Sequence, residues 1–259
     1  MEDRFASLRY LFEGQLGLSR ARNTALAEAS APYIAFLDDD AVASPHWLET
    51  LLAAFETAQP APGCVAGRID PIWEGPRPAW LADGLLPYLA VVNWSEGPMT
   101  LDPSCQYAAG ANMAFITSAL RDVGGFNPGL GRVGTWLLSG EELHVQRLLS
   151  AAGYQLYYEP RASVGHHVPV SRLTRDWFLH RAYAEGVSGA VLQTVLERLS
   201  RGGRTVRALQ SLMDLFLSPR QWAGSFLSAA EPVRFQRRCQ TIRHLGMIWG
   251  LLAYSEVTT

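Results

Sequence analysis

Lysine is absent from this sequence: all 22 basic residues among its 259 are arginine. Such a bias reflects genome composition as readily as selection and carries no functional reading. Cysteine is scarce. Cys64, Cys105 and Cys239 lack pairwise spacing, and an odd count argues against a disulfide framework, so a reducing, cytoplasmic compartment is expected. No basic-then-apolar leader opens the chain. The longest apolar stretch near the end, Leu245–Tyr254, is about half of a bilayer span, which excludes a membrane-crossing helix there. Repeats and low-complexity tracts are missing as well. Charged residues are few (18%) against 48% apolar, a balance that excludes a disordered chain and a coiled coil. Net charge is only −2, so no nucleic-acid partner is expected.

That small net charge hides an asymmetry. Residues 191–259 hold nine arginines against four acids, +5, while residues 1–190 carry 13 against 20, −7. An acidic body with a basic tail suits an anionic membrane surface or a docking partner, or is a solvated helical face.

Short β-rich runs alternate with helical patterns through the first half, which predicts an α/β fold with parallel strands and crossover helices. Leu8–Phe12 is a short apolar run, and Ser19 is placed to cap a helix reaching about Ala29. Tyr33–Leu37 reads as a buried strand ending in Asp38-Asp39-Asp40. Ser44-Pro45 reads as a helix start, with Trp47, Leu48, Leu51, Leu52 and Phe55 forming a core-facing stripe. Cys64–Ile69, Asn112–Ile116, Tyr154–Tyr158 and Ala162–Val164 read as strands, and a helix begins near Ser139. From Leu173 the pattern is helical, broken at Gly202-Gly203, Pro219 and Pro232.

Three adjacent carboxylates at a strand end repel one another, and a hard divalent cation relieves that repulsion. The bland reading is a solvated turn. Ser139 and Glu142 have capping-box spacing, yet a carboxylate at a helix start is also expected to stay ionised and to serve as a general base. His166-His167 ends a strand, where an imidazole completes a metal shell or forms an ordinary hydrogen-bonded pair. Arg20 and Arg22 suit a diphosphate or surface salt bridges, and Trp73, Trp80, Tyr88 and Trp94 suit a sugar ring, a base or the core.

Taken in order, the pieces resemble one family. Gly17-Leu18-Ser19-Arg20-Ala21-Arg22-Asn23 precedes Tyr33-Ile34-Ala35-Phe36-Leu37-Asp38-Asp39-Asp40, Pro45 and Trp47-Leu48. Gly110-Ala111-Asn112-Met113-Ala114-Phe115, Gly124-Gly125-Phe126, Ser139-Gly140-Glu141-Glu142 and His166-His167-Val168-Pro169 follow. Over roughly residues 8–190 this order is similar to the family 2 glycosyltransferases. The resemblance implies a GT-A (Rossmann-like) fold, a mixed and mainly parallel sheet flanked by helices over residues 1–190, with a helical extension over 191–259. It also implies inverting transfer of a sugar from a nucleotide-sugar donor to a carbohydrate, lipid-linked or small-molecule acceptor.

By the same resemblance, Asp40, assisted by Asp38, would hold Mn²⁺ or Mg²⁺, with His166 (His167 in reserve) reaching the metal. Glu142 matches the base, with Glu141 kept open because a Glu replaces the family's commoner Asp. Arg22 matches an arginine that contacts the donor nucleotide, and Asn23, Asp38, Asp39 and Asn112 fall with it on the donor side. Met1 stands just before the third element of the usual arrangement. A missing strand–helix–strand unit is therefore expected, leaving an unprotected sheet edge that a partner chain would complete. The alternatives are a silent binding module of the same fold and a metal-dependent phosphohydrolase.

Overall fold

The computed structural model describes residues 8–134, 137–217 and 230–253. Six strands form one sheet: β1 (Tyr33–Leu37), β2 (Ala41–Ala43), β3 (Pro62–Trp73), β4 (Met99–Thr100), β5 (Asn112–Ile116) and β6 (Gln155–Val168). The order is β1-β5-β3-β6-β2, with β4 also on β6. Helices α1 (Leu18–Glu28), α2 (Trp47–Thr57), α3 (Thr117–Asp122) and α4 (Glu141–Ala151) flank it. Three longer helices follow: α5 (Arg175–Leu196), α6 (Arg201–Leu217) and α7 (Glu231–Ala253).

The sheet is mixed, as expected, but less parallel than the alternating pattern suggests. Among the described residues only β3 and β6 run parallel, whereas β5 opposes both β1 and β3, and β6 opposes both β2 and β4. Parallel neighbours need a crossover of a dozen or so residues, usually a helix. Here β5 follows a long irregular return from β3 and enters the sheet reversed. Among the described residues β1 bonds a strand on one side only.

Alternation explains why β1 is covered on both faces. Ile34 and Phe36 pack with Phe115, Phe126 and Leu149 on one side. Tyr33 and Ala35 pack with Trp47, Leu51 and Phe55 on the other. The α2 stripe is narrower than predicted, because Leu48 and Leu52 are 55% and 43% exposed on its outer flank. Neither serine predicted as a cap serves as one. Ser19 instead donates to the Leu130 carbonyl at 2.7 Å, and α2 starts three residues beyond Ser44, after His46. Leu8–Phe12 forms no strand. The two strands predicted near 154–164 are one long strand. Gly202-Gly203 and Pro232 fall in the first turns of α6 and α7, where they start helices rather than break them. Pro219 lies outside the described residues.

The expected boundary at 190/191 falls inside α5. That helix runs unbroken to Leu196, and Phe235 and Cys239 of α7 join Phe178, Leu85 and Leu89 in a shared core. The C-terminal helices are therefore packed onto the body. On α6 a stripe of Val206, Leu209, Met213 and Phe216 is at least 55% exposed. No helix is long and apolar enough to cross a membrane among the described residues.

Asn112 ties three parts of the sheet together. Its Oδ1 accepts from Trp47 Nε1 at 2.9 Å, and its Nδ2 donates to the Arg68 and Ala162 carbonyls at 3.0 and 2.8 Å. It is fully buried, so the donor-side role expected for it is corrected: its amide is consumed in holding β5, β3, β6 and α2. Asn112→Ala leaves all three partners unsatisfied and is expected to lower stability by about 3 kcal/mol. Urea denaturation measures this, and a loss under about 1 kcal/mol contradicts the assignment.

Candidate active site

The end of β1 and the end of β6 meet through β2. After Asp38-Asp39-Asp40 the chain pairs back on β6 with Ala41 opposite His166, and the His167 amide donates to the Asp40 carbonyl at 2.9 Å. This register sets His166 Nε2 at 3.1 Å from Asp40 Oδ1. Ligand atoms of Asp38, Asp40 and His166 all lie within 4.8 Å of one another. Strand alternation sends His167 to the other face, where it meets Glu74 at 3.3 Å, so of the two histidines it is His166 that joins the acidic cluster. Burial pushes the Asp38 carboxyl up against the pull of Arg22, and the charge of Asp40 adds to the rise. Burial also lowers His166, against Asp40, which favours the neutral imidazole that ligates metals. Two hard carboxylates and one imidazole fit Mn²⁺ or Mg²⁺.

A second charged knot adjoins the first. Arg22, 5% exposed in α1, donates to Glu141 at 2.8 Å, lies 3.5 Å from Asp38 and packs against the rings of Phe36 and Phe126. Gly110 passes so close that a Cβ there would sit 2.6 Å from the guanidinium. The helix carrying Glu141 and Glu142 begins at Gly140, whose φ of 105° belongs to glycine. The capping box is not formed: Ser139 Oγ donates to Glu185 at 3.0 Å instead. Glu142 also departs from expectation. Burial, and then the neighbouring Glu141 charge, push its carboxyl well above the ordinary carboxylate range, outweighing Arg22. Desolvation wins over the helix terminus, so this group holds its proton more tightly than a surface carboxylate. One oxygen each of Glu141 and Glu142 is buried without a partner among the described residues.

One cleft of about 810 Å³ is lined by Arg22, Asp38, Asp39, Asp40, Glu141, Glu142 and His166. Asn23 stays outside it, exchanging hydrogen bonds with the Phe126 backbone at 2.7 and 2.8 Å, so its expected donor contact is corrected to a turn-holding role. Arg20 is also absent from the lining. Of the four aromatics, Tyr88 and Trp94 reach the cleft, whereas Trp80 is packed against Phe178 and Phe235. Sequence reasoning missed Arg172, which lines the cleft 3.5 Å from Asp40. Arg172 ends the short 3₁₀ turn Val170–Arg172 that follows β6.

The model of the glycosyl transferase family 2 domain matches residues 3–124. That match covers just under half of the chain, which over this segment is similar to the family 2 glycosyltransferases. The chain is 34% identical over 170 residues to a pre-mycofactocin glycosyltransferase of Mycobacterium tuberculosis, a match covering 66% of the chain and 34% of that relative. It thus spans about a third of that relative's length. It is also 27% identical over 241 residues to the succinoglycan biosynthesis protein ExoM of Rhizobium meliloti, covering 93% of the chain and 72% of the relative. Among solved structures, the mannosyltransferase PcManGT from Pyrobaculum calidifontis, in complex with GDP-Man and Mn²⁺, shares the fold. The TM-score is 0.52 and the identity 18%, with 92% of this chain and 68% of that one covered. The fold is GT-A. Glu141, Glu142 and His166 lie beyond the segment matched by the family model.

Removing one partner of a buried ion pair strands the other charge. Arg22→Met is therefore expected to cost about 3–5 kcal/mol, and adding Glu141→Gln to recover a large share of it. A double-mutant cycle of denaturation midpoints decides; additive losses contradict the pairing.

Proposed function

We propose that this glycosyltransferase moves a sugar from a nucleoside diphosphate sugar to an acceptor hydroxyl with inversion. The observation that carries the reading is the convergence of Asp38, Asp40, His166 and Glu142 on one cleft. Asp38, Asp40 and His166 would hold Mn²⁺ or Mg²⁺, which supplies Lewis-acid stabilisation of the departing diphosphate when bound. Arg172, beside Asp40, adds a fixed positive charge where that diphosphate would gather. Asp39 and Arg22 line the donor side, with Arg22 also holding Glu141 in place.

Glu142 takes the acceptor proton. Its unpartnered oxygen is a ready acceptor for a hydroxyl, and a carboxylate whose proton affinity is raised by burial is a stronger base than a solvated one. The proton must first leave Glu142, so turnover is expected to rise with pH through an apparent pKa above the ordinary carboxylate range. The folded chain binds that proton more tightly than the unfolded chain does. Ionising it therefore lowers stability as pH rises between the two pKa values. Glu142→Gln is expected to cut turnover by about 10²–10⁴-fold, to leave nucleoside diphosphate binding intact, and to raise the melting temperature at neutral pH. Release of nucleoside diphosphate from a panel of nucleotide sugars measures the rate, and full turnover in this variant refutes the base.

Metal binding is checked without turnover. Mn²⁺ at about a hundred times its Kd is expected to add about 2.7 kcal/mol of thermal stability. Asp40→Asn should abolish that gain and His167→Ala keep it. A gain that survives Asp40→Asn places the ion elsewhere.

A further inference from the structure

The wall of the cleft includes side chains from α7, far along the chain from the segment that matches the family model. Gln236, Gln240 and Arg243 all line it together with Asp40 and Glu142. Their placement is rigid. Helices α5 and α7 meet at backbone contact, since a Cβ on Gly186 would lie 2.0 Å from the Arg243 carbonyl and one on Gly246 would lie 2.2 Å from the Tyr183 carbonyl. Two turns before Arg243 on α7, the Gln236 amide lies against Gly84, in the 3₁₀ turn Asp83–Leu89 that borders the same cleft. The helix is thus locked to both α5 and the cleft rim.

Several arginines of the cleft have carboxylate partners. Arg22 pairs with Glu141 and Asp38, Arg172 with Asp40, and Arg181 with Glu185. Arg243 has no ion pair among the described residues. Arg181 is only 9% exposed, and its Nε is buried with no acceptor, although its other nitrogens reach Glu185 at 2.9 Å and the Leu137 carbonyl at 3.2 Å. The two guanidiniums share a neighbourhood with Glu185: all three act on the Tyr88 and Tyr107 phenols, and Tyr107 also feels Glu142. That leaves Arg243 as an arginine of the cleft wall with no carboxylate partner among the described residues, beside an Arg181 that keeps one buried donor unused.

We propose that α7 forms the acceptor wall of the cleft and that Arg243, with Arg181, binds an anionic group, phosphate or carboxylate, carried by the acceptor. This rests on the transferase reading for the word acceptor, but the anion site itself is tested separately. Guanidinium geometry suits bidentate contact with either anion.

Calorimetric titration of the full chain with glucose, glucose 6-phosphate and glucuronate, with and without Mg²⁺ and UDP, GDP or dTDP, decides the matter. At least one of the two anionic sugars is expected to bind about tenfold or more tightly than glucose, a difference of about 1.4 kcal/mol. Which of them does so distinguishes phosphate from carboxylate. Arg243→Gln, a change at an exposed position, should reduce the ratio to about one, while Arg207→Gln on α6, outside the cleft, should preserve it. Equal binding of all three sugars, or a preference that survives Arg243→Gln, overturns the proposal. Failure of every nucleoside diphosphate to bind counts against the transferase reading instead, and leaves the Arg243 comparison to be read in its absence.

Discussion

The guanidinium of Arg22, sealed under Phe36 and Phe126, bonds Glu141 at 2.8 Å and stands 3.5 Å from Asp38, so one buried cation links α1, the end of β1 and the start of α4. Three separate stretches of sequence supply these groups, and none is stable in its place without the others. The acids at the end of β1 would repel one another and Glu141 would be a stranded buried charge. The local electrostatics of the cleft follow from this arrangement. Asp38 and Glu142 are both held above their ordinary ionisation range by burial, and each has an acidic neighbour adding to the rise. Such crowding of acids lowers stability and is tolerated where a ligand relieves it.

Much of this was legible in the residues. The Asp38-Asp39-Asp40 run at the end of an apolar strand pointed to the cleft because strand ends in α/β sheets are where side chains converge. The β5 strand was legible from residue to residue, Asn112–Ile116. What failed did so for identifiable reasons. Local spacing predicted a capping box at Ser139 and Glu142, but Gly140 takes the left-handed cap and Ser139 finds Glu185, a residue on α5. A helix start argued for an ionised Glu142, and desolvation, invisible in a linear sequence, reversed it. Asn112 and Asn23 looked like ligand-facing amides, yet both spend their bonds inside the fold, Asn23 on the Phe126 backbone and Asn112 on two carbonyls and the Trp47 indole. The histidine choice needed the β2–β6 register, since alternation says only that His166 and His167 face opposite ways.

The C-terminal helices change the picture of what the domain contains. Read by composition, residues 191–259 were an appended basic tail. In three dimensions α5 continues across that boundary and α7 lies against α5 through Gly186, Gly246 and Gly250, close enough that side chains have no room between them. The cleft that holds Asp38, Asp40 and His166 is thus walled in part by the last described helix. In the proposed reaction this divides labour in a simple way. Strand ends and short loops of the sheet handle the diphosphate, and the helical layer meets the acceptor.

The central claim is that Asp38, Asp40 and His166 act together on one divalent ion beside Glu142. An anomalous difference map at the manganese edge, from crystals grown with Mn²⁺ and a nucleoside diphosphate, tests it most directly. The account predicts a peak within coordination distance of all three side chains, in the cleft that Glu142 lines. A peak elsewhere, or none with the nucleotide bound, would contradict it.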